Sequence, residues 1–196
     1  MAAKGDLDVL ITHLDQSISV LPERSHSLLQ KMIFSSILDK GDAELLDTTK
    51  HALSNEPIRT FDGAALIQLY GFFESGDVVW PGLEGIIEVF QSAIDNERKQ
   101  LKAEAESVLF GHYASLLAAS DRIDEAIAAM NTSVSLDTTS VEARIRLASL
   151  YIDTDQIDNA IDTLNGLSEE EKAKNADRIK EIGIELKTIK TAIREN

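Results

Sequence analysis

The chain has no cysteine, so disulfides and thiolate metal sites are excluded, and an oxidising compartment is slightly favoured over a reducing one. Only three prolines and ten glycines interrupt its 196 residues. Long stretches are therefore free of helix breakers, and Ala, Leu, Ile, Glu and Lys fill them, so helices are expected throughout. Period-two alternation is nearly missing, and apolar runs such as Val78-Val79-Trp80 are too short for buried strands. No run reaches the roughly 18 apolar residues that a bilayer span needs, and Met1 is not followed by a basic stretch and an apolar segment. The chain as written is expected to be soluble and unprocessed.

Cationic excess is missing too. The formal charge is −15, and it is concentrated: residues 168–196 are balanced at seven basic and seven acidic, so the acidity lies in the first 167. Such a body repels nucleic acid and anionic lipid.

What is present is a period. Ala114 and Ala148, Ile123 and Ile157, Asp124 and Asp158, Ala126 and Ala160, and Ile127 and Ile161 are each separated by 34 residues. Small residues in a first helix (Ala114, Ala148) and a second helix (Ala126, Ala160) let two antiparallel backbones approach. Leu117, Tyr151, Met130 and Leu164 then fill the space beside them. The turns at Ser120-Asp121 and Thr154-Asp155 read as caps of the helices that follow.

Earlier units are more degenerate. Lys40-Gly41-Asp42 makes a turn, and Pro22 and Pro57 stand 35 residues apart at unit ends. Pro81 reads as the first residue of a helix after a long turn. The chain divides accordingly into one solenoid spanning 1–196: a half repeat at 6–20 with Leu7, Leu10, Ile11, Leu14 and Ile18 on one face, units at 24–57, 60–98, 107–138 and 141–167, and a capping helix at 169–194. Ser168 and Glu171 read as a capping box opening that last helix. Its seam of Ile179, Ile182, Leu186, Ile189 and Ile193 covers the last repeat, or alternatively pairs with a second copy as a homodimer.

On these residues the chain resembles the tetratricopeptide repeat family, most specifically over 107–167. The resemblance implies an all-α helix-turn-helix solenoid with right-handed superhelical twist, whose concave groove is lined by first helices and binds a peptide or partner protein. The positions it places near that groove are Gly111, His112, Ser115, Arg146 and Ser149, while Trp80, in a turn before Pro81, is a further candidate anchor. Ala114, Ala126, Ala148, Tyr151 and Ala160 form the packing signature. The Lys and Asn clamp that some such domains use on a C-terminal carboxylate has no counterpart at Val108, Gly111, His112 and Ser115 or at Glu142, Ile145, Arg146 and Ser149.

A second resemblance rests on Leu21-Pro22-Glu23-Arg24, Phe72-Phe73 and the run from Gly82-Leu83 to Ile94. It is to the repeat-bearing tail of bacterial O-antigen ligase-like and O-oligosaccharyltransferase-like membrane enzymes. It implies a periplasmic accessory domain that holds an acceptor or partner for a membrane active site elsewhere; otherwise the location is cytoplasmic or periplasmic.

Chemistry is not signalled. His13, His26, His51 and His112 are scattered and carry no metal-ligand spacing. Asp153, Asp155 and Asp158 start like a calcium loop, but glycine is missing at its sixth position and glutamate at its twelfth, where Leu164 stands. No nucleophile elbow, phosphate loop or dinucleotide fingerprint occurs. The expectation is a non-catalytic scaffold without cofactor or metal, acting on a protein or peptide partner.

Overall fold

A computed structural model describes residues 4–20, 25–77, 80–180 and 182–183. Ten helices are defined there: α1 (Lys4–Val20), α2 (Ser25–Leu38), α3 (Ala43–Asn55), α4 (Thr60–Glu74), α5 (Gly82–Ile94), α6 (Ala103–Ala119), α7 (Ile123–Leu136), α8 (Val141–Asp153), α9 (Ile157–Asn165) and α10 (Glu169–Lys174). No strand occurs among the described residues. Neighbours pack in sequence, α1 on α2, α2 on α3, α5 on α6, α6 on α7, α7 on α8 and α8 on α9, while α2, α4 and α6 also line up against one another and α3 lies on α5.

Apolar spacing explains which faces meet. On α5, Ile86, Ile87, Val89, Phe90 and Ala93 recur at helical intervals and all are buried. Together with Leu29, Met32 and Ile33 of α2, Leu66 and Leu69 of α4 and Leu109 and Leu116 of α6 they form one continuous core that reaches Ala143, Leu147 and Leu150 of α8. The opposite face of α8 supplies Ile145, Ala148 and Ile152 to a second cluster with Ile157, Ala160, Leu164, Leu167 and Ile182. Ala114, Ala126, Ala148 and Ala160 have no exposed surface, as close helix approach requires. Tyr151 packs on both clusters, and Asn131 donates to its hydroxyl at 3.0 Å.

The ends of α2, α4, α6 and α8 share one device. Each closes on a left-handed residue, Asp39 (φ 53°), Gly76 (75°), Asp121 (63°) and Asp155 (58°). At Asp121 the amide donates to Ala118 O at 3.1 Å, and the Arg122 amide to Leu117 O at 2.9 Å. The same pair recurs at Asp155 and Gln156, Asp39 and Lys40, and Gly76 and Asp77. This is the Schellman closure, which satisfies carbonyls left over at a helix end. Asp121 and Asp155 therefore do not cap the helices that follow; the N-cap positions are Arg122 and Gln156, neither with a side-chain cap bond. The carboxylates are in the wrong place for capping because the left-handed turn ends the preceding helix first.

Other signals land where their chemistry puts them. Asp42 accepts the Leu45 amide at 2.8 Å at the start of α3, and Ser168 and Glu171 complete their box, with Ser168 N–H donating to Glu171 Oε2 at 2.7 Å. Pro81 stands at the N-cap of α5, one residue before the helix. The final helix differs from the continuous 169–194 expected: α10 stops at Lys174, Asn175 (φ −113°, ψ 22°) leaves helical geometry, and a new helical run covers 176–180. Of the seam, Ile182 is buried and Ile179 packs beside it in the second cluster, so both cover α8 and α9. Leu186, Ile189 and Ile193 lie outside the described residues, as do Leu21–Arg24.

The link between α5 and α6 is pinned by a buried amide. Asn96 donates to Leu53 O at 2.5 Å and to Glu56 O at 2.7 Å, and accepts the Arg98 amide at 2.8 Å. On α1, Ile18 packs on Leu28, Leu45 and Ala52, whereas Val9 and Leu10 stay exposed.

Candidate functional site

Three helices, α4, α6 and α8, present one face to a shared groove. On α6 the 3–4 spacing brings Val108, Gly111, His112 and Ser115 to that face, and 34 residues on α8 places Glu142, Ile145, Arg146 and Ser149 in register. Tyr70 and Glu74 complete the wall from α4, Met130 of α7 forms part of the floor, and Arg178 reaches in from the C-terminal run. The open space measures about 450 Å³. A smaller notch of about 110 Å³ opens beside it between α6 and α8, lined by Ser107, Val108, Gly111, His112, Met130 and Ala143 among others.

The groove's charges are arranged as a chain. Glu142 stands between two guanidinium groups: Arg146 Nε donates to its Oε1 at 2.7 Å and Arg178 Nη1 to its Oε2 at 2.6 Å. Arg146 Nη1 also donates to Ser115 Oγ at 3.0 Å, joining α8 to α6. The Arg178 bond, reinforced by Arg146 against the effect of burial, pushes the Glu142 carboxyl down to about 2. This carboxylate is ionised throughout the physiological range.

His112 is held differently. Its ring stacks on Tyr70 with centroids 4.0 Å apart, and its Nδ1 is buried with no hydrogen-bond partner. Burial, with help from the Arg146 charge and against Glu74, brings the imidazole down to about 4. It is a neutral, flat wall at neutral pH. The Tyr70 hydroxyl donates to Glu74 Oε1 at 3.2 Å.

Gly111, His112, Ser115, Arg146 and Ser149 thus come together around this groove and notch. Trp80 does not join them. Its ring lies on the α2–α3 turn, where an added Cβ on Gly41 would come within 1.9 Å of it, and it packs on the Leu28 cluster as well as the main core. Gly41 provides the seat, and Trp80 is a packing residue rather than an exposed anchor. Tyr70, Ser107, Ser133 and Arg178 are groove or notch residues that the 34-residue period alone does not mark, and Met130, which the period marks as a packing residue, lines both. Ser107 and Ser133 bond each other's carbonyls at 2.9 and 2.8 Å across α6 and α7, which leaves the deep side of the notch without unsatisfied hydroxyls.

Among the described residues no cluster of three or more His, Asp or Glu is placed to hold a metal, and no helix is long and apolar enough to cross a membrane.

A tetratricopeptide repeat family model matches residues 117–180. Two crystal structures of MamA share the fold, each at TM-score 0.50 and 17% identity over 89% of this chain, with 93% and 87% of the respective MamA chains covered. No curated protein matches the sequence. Nothing in these likenesses supports the O-antigen ligase-like resemblance. The chain is an all-α helical-repeat solenoid that carries tetratricopeptide repeats over residues 117–180.

Proposed function

We propose that this chain is a non-catalytic scaffold that binds a segment of a partner protein in the groove across α4, α6 and α8. The observation that carries this reading is the groove itself: about 450 Å³ of open space walled by side chains from the alternate helices α4, α6 and α8, with Met130 of α7 and Arg178 also lining it. Its fixed features are a stacked, neutral His112 and a Glu142 carboxylate held between two arginines. Groups tied up in this way position and exclude; they do not supply a proton or a nucleophile. The repeat units of the solenoid are read as α2–α3, α4–α5, α6–α7 and α8–α9, of which the last three contribute to the groove.

Site-specific photocrosslinking in the source cells tests the reading. A benzophenone side chain at Ser149, inside the groove, is expected to give a discrete adduct with another protein. The same probe at Ser92, on the far side beside Lys50 and Glu88, is expected to give none. Adducts from Ser92 alone, or a Ser149 adduct consisting only of a second copy of this chain, would refute it.

A further inference from the structure

Gly111 sits in the middle of α6, a 17-residue helix, where glycine lowers helix stability relative to alanine. Packing does not demand it. A Cβ built there would meet only Ser133 Oγ, at 3.5 Å, which is ordinary contact. By contrast, Gly85 is needed, because a Cβ would lie 2.6 Å from Pro81. What the absent side chain at Gly111 does is leave the notch open.

The walls of that notch say what it accepts. Val108 is 44% exposed although apolar, Met130 and Ala143 add apolar lining, and the Ser107 and Ser133 hydroxyls are bonded to each other's backbone; of the other polar lining residues, Ser140 Oγ accepts the Ala143 amide, and Glu142 and Arg146 are paired with each other. A polar side chain entering here would lose water without gaining partners at those hydroxyls. The volume, about 110 Å³, suits one aliphatic side chain.

Charge sets the rest of the partner. Arg146 and Arg178 face two carboxylates in the groove, Glu142 between them and Glu74 across from them, so these four charges balance. Beyond them Glu104 stands exposed one turn before Val108 on the same helix, and the chain carries −15 overall. The field a partner meets is negative.

We infer that the notch under Gly111 is a socket for a single aliphatic side chain, such as leucine or methionine, carried by a segment of the partner rich in lysine and arginine. This rests on the groove-binding reading and adds its recognition rule. Burying one such side chain is expected to change affinity by about tenfold or more.

The experiment is a selection followed by titration. A random peptide library displayed on phage is panned on the purified full chain, and the enriched peptides are labelled and titrated by fluorescence anisotropy. The expected hits carry one aliphatic residue flanked by Lys or Arg, and replacing that residue by serine weakens binding at least tenfold. Gly111→Leu, which fills the notch, should weaken the same peptides at least tenfold. Gly111→Ala should weaken them measurably while its circular dichroism melt stays unchanged or rises, which separates socket filling from unfolding. Hits that bind Gly111→Ala and Gly111→Leu as tightly as the parent chain, or that are acidic or lack an aliphatic residue, overturn the socket and leave groove binding standing. Failure to enrich any peptide overturns both.

Discussion

Replacing the left-handed aspartates Asp121 and Asp155 by glycine should make the protein more stable. Their φ values, 63° and 58°, lie where a side chain crowds the following carbonyl, at a cost of roughly 1 kcal/mol for residues other than glycine. Each carboxylate also sits at the negative end of a helix, α6 or α8, an unfavourable placement worth about 0.3 kcal/mol when exposed. Glycine removes both penalties but gains freedom in the unfolded chain, which costs about 0.4–1 kcal/mol. The net expectation is a gain of about 0.3–0.9 kcal/mol per site, or roughly 0.6–1.8 kcal/mol for the double variant, a few degrees in Tm. Urea denaturation followed by circular dichroism at 222 nm reads this directly. The sign decides between two roles for the same residue. If the carboxylates capped α7 and α9 instead, glycine would lower stability by a few tenths and alanine by about 1 kcal/mol. A drop for Asp121→Gly would refute the assignment of these residues to the preceding helix ends.

Three other perturbations follow from the packing. Asn96→Ala strips partners from the buried Leu53 carbonyl and from Glu56 O, so it should cost about 2–3 kcal/mol in the same urea assay; a loss below 0.5 kcal/mol would mean the amide is dispensable. Gly41→Ala drives a Cβ into the Trp80 ring and should cost about 1–3 kcal/mol, with a red shift in the emission of the single tryptophan as its ring is displaced; unchanged emission would contradict the seat described. For Glu142, a folded-state value near 2 against an ordinary 4.5 means that its contribution is complete above the ordinary value and is lost as pH falls from about 4.5 towards 2. Glu142→Gln should therefore be less stable than the parent at pH 6, with the difference closing at pH 2; thermal melts showing a pH-independent difference would refute the pairing.

The period of 34 carried much of the architecture because it reports a physical constraint, the need for small residues where antiparallel helices touch. Ala114, Ala126, Ala148 and Ala160 show no exposed surface. The sequence carries one further pairing of this kind. Ala114 and Ala126 stand equally far from Ser120, and so do Ser107 and Ser133, so the hairpin register that matches the alanines also matches the serines lining the notch. Other features had no local signal. The Asp121 and Asp155 turns look alike in sequence whether the carboxylate caps forwards or the backbone closes backwards; only φ separates the two. Trp80 reads as an exposed turn residue until Gly41, 39 positions earlier, is seen to receive it. Arg178 meets Glu142 across 36 residues and a break at Asn175, and Tyr70 meets His112 across an entire intervening helix. Contacts of that kind depend on how units stack, which the repeat pattern within one unit does not encode.

The shared position of α8 has a consequence for how the molecule comes apart. Ala143, Leu147 and Leu150 belong to the large core, whereas Ile145, Ala148 and Ile152 belong to the terminal cluster with α9 and Ile182. Among the described residues the terminal cluster is the smaller of the two, so its amides are expected to open to solvent before those of the large core in a sub-global fluctuation. Because α8 is anchored on its other side, such an opening releases α9 and the Arg178 contact while Arg146 and Ser149 keep their places. The binding surface can then outlast partial melting of its own end, and native-state hydrogen exchange would resolve the chain into two breathing units with α8 as the hinge between them.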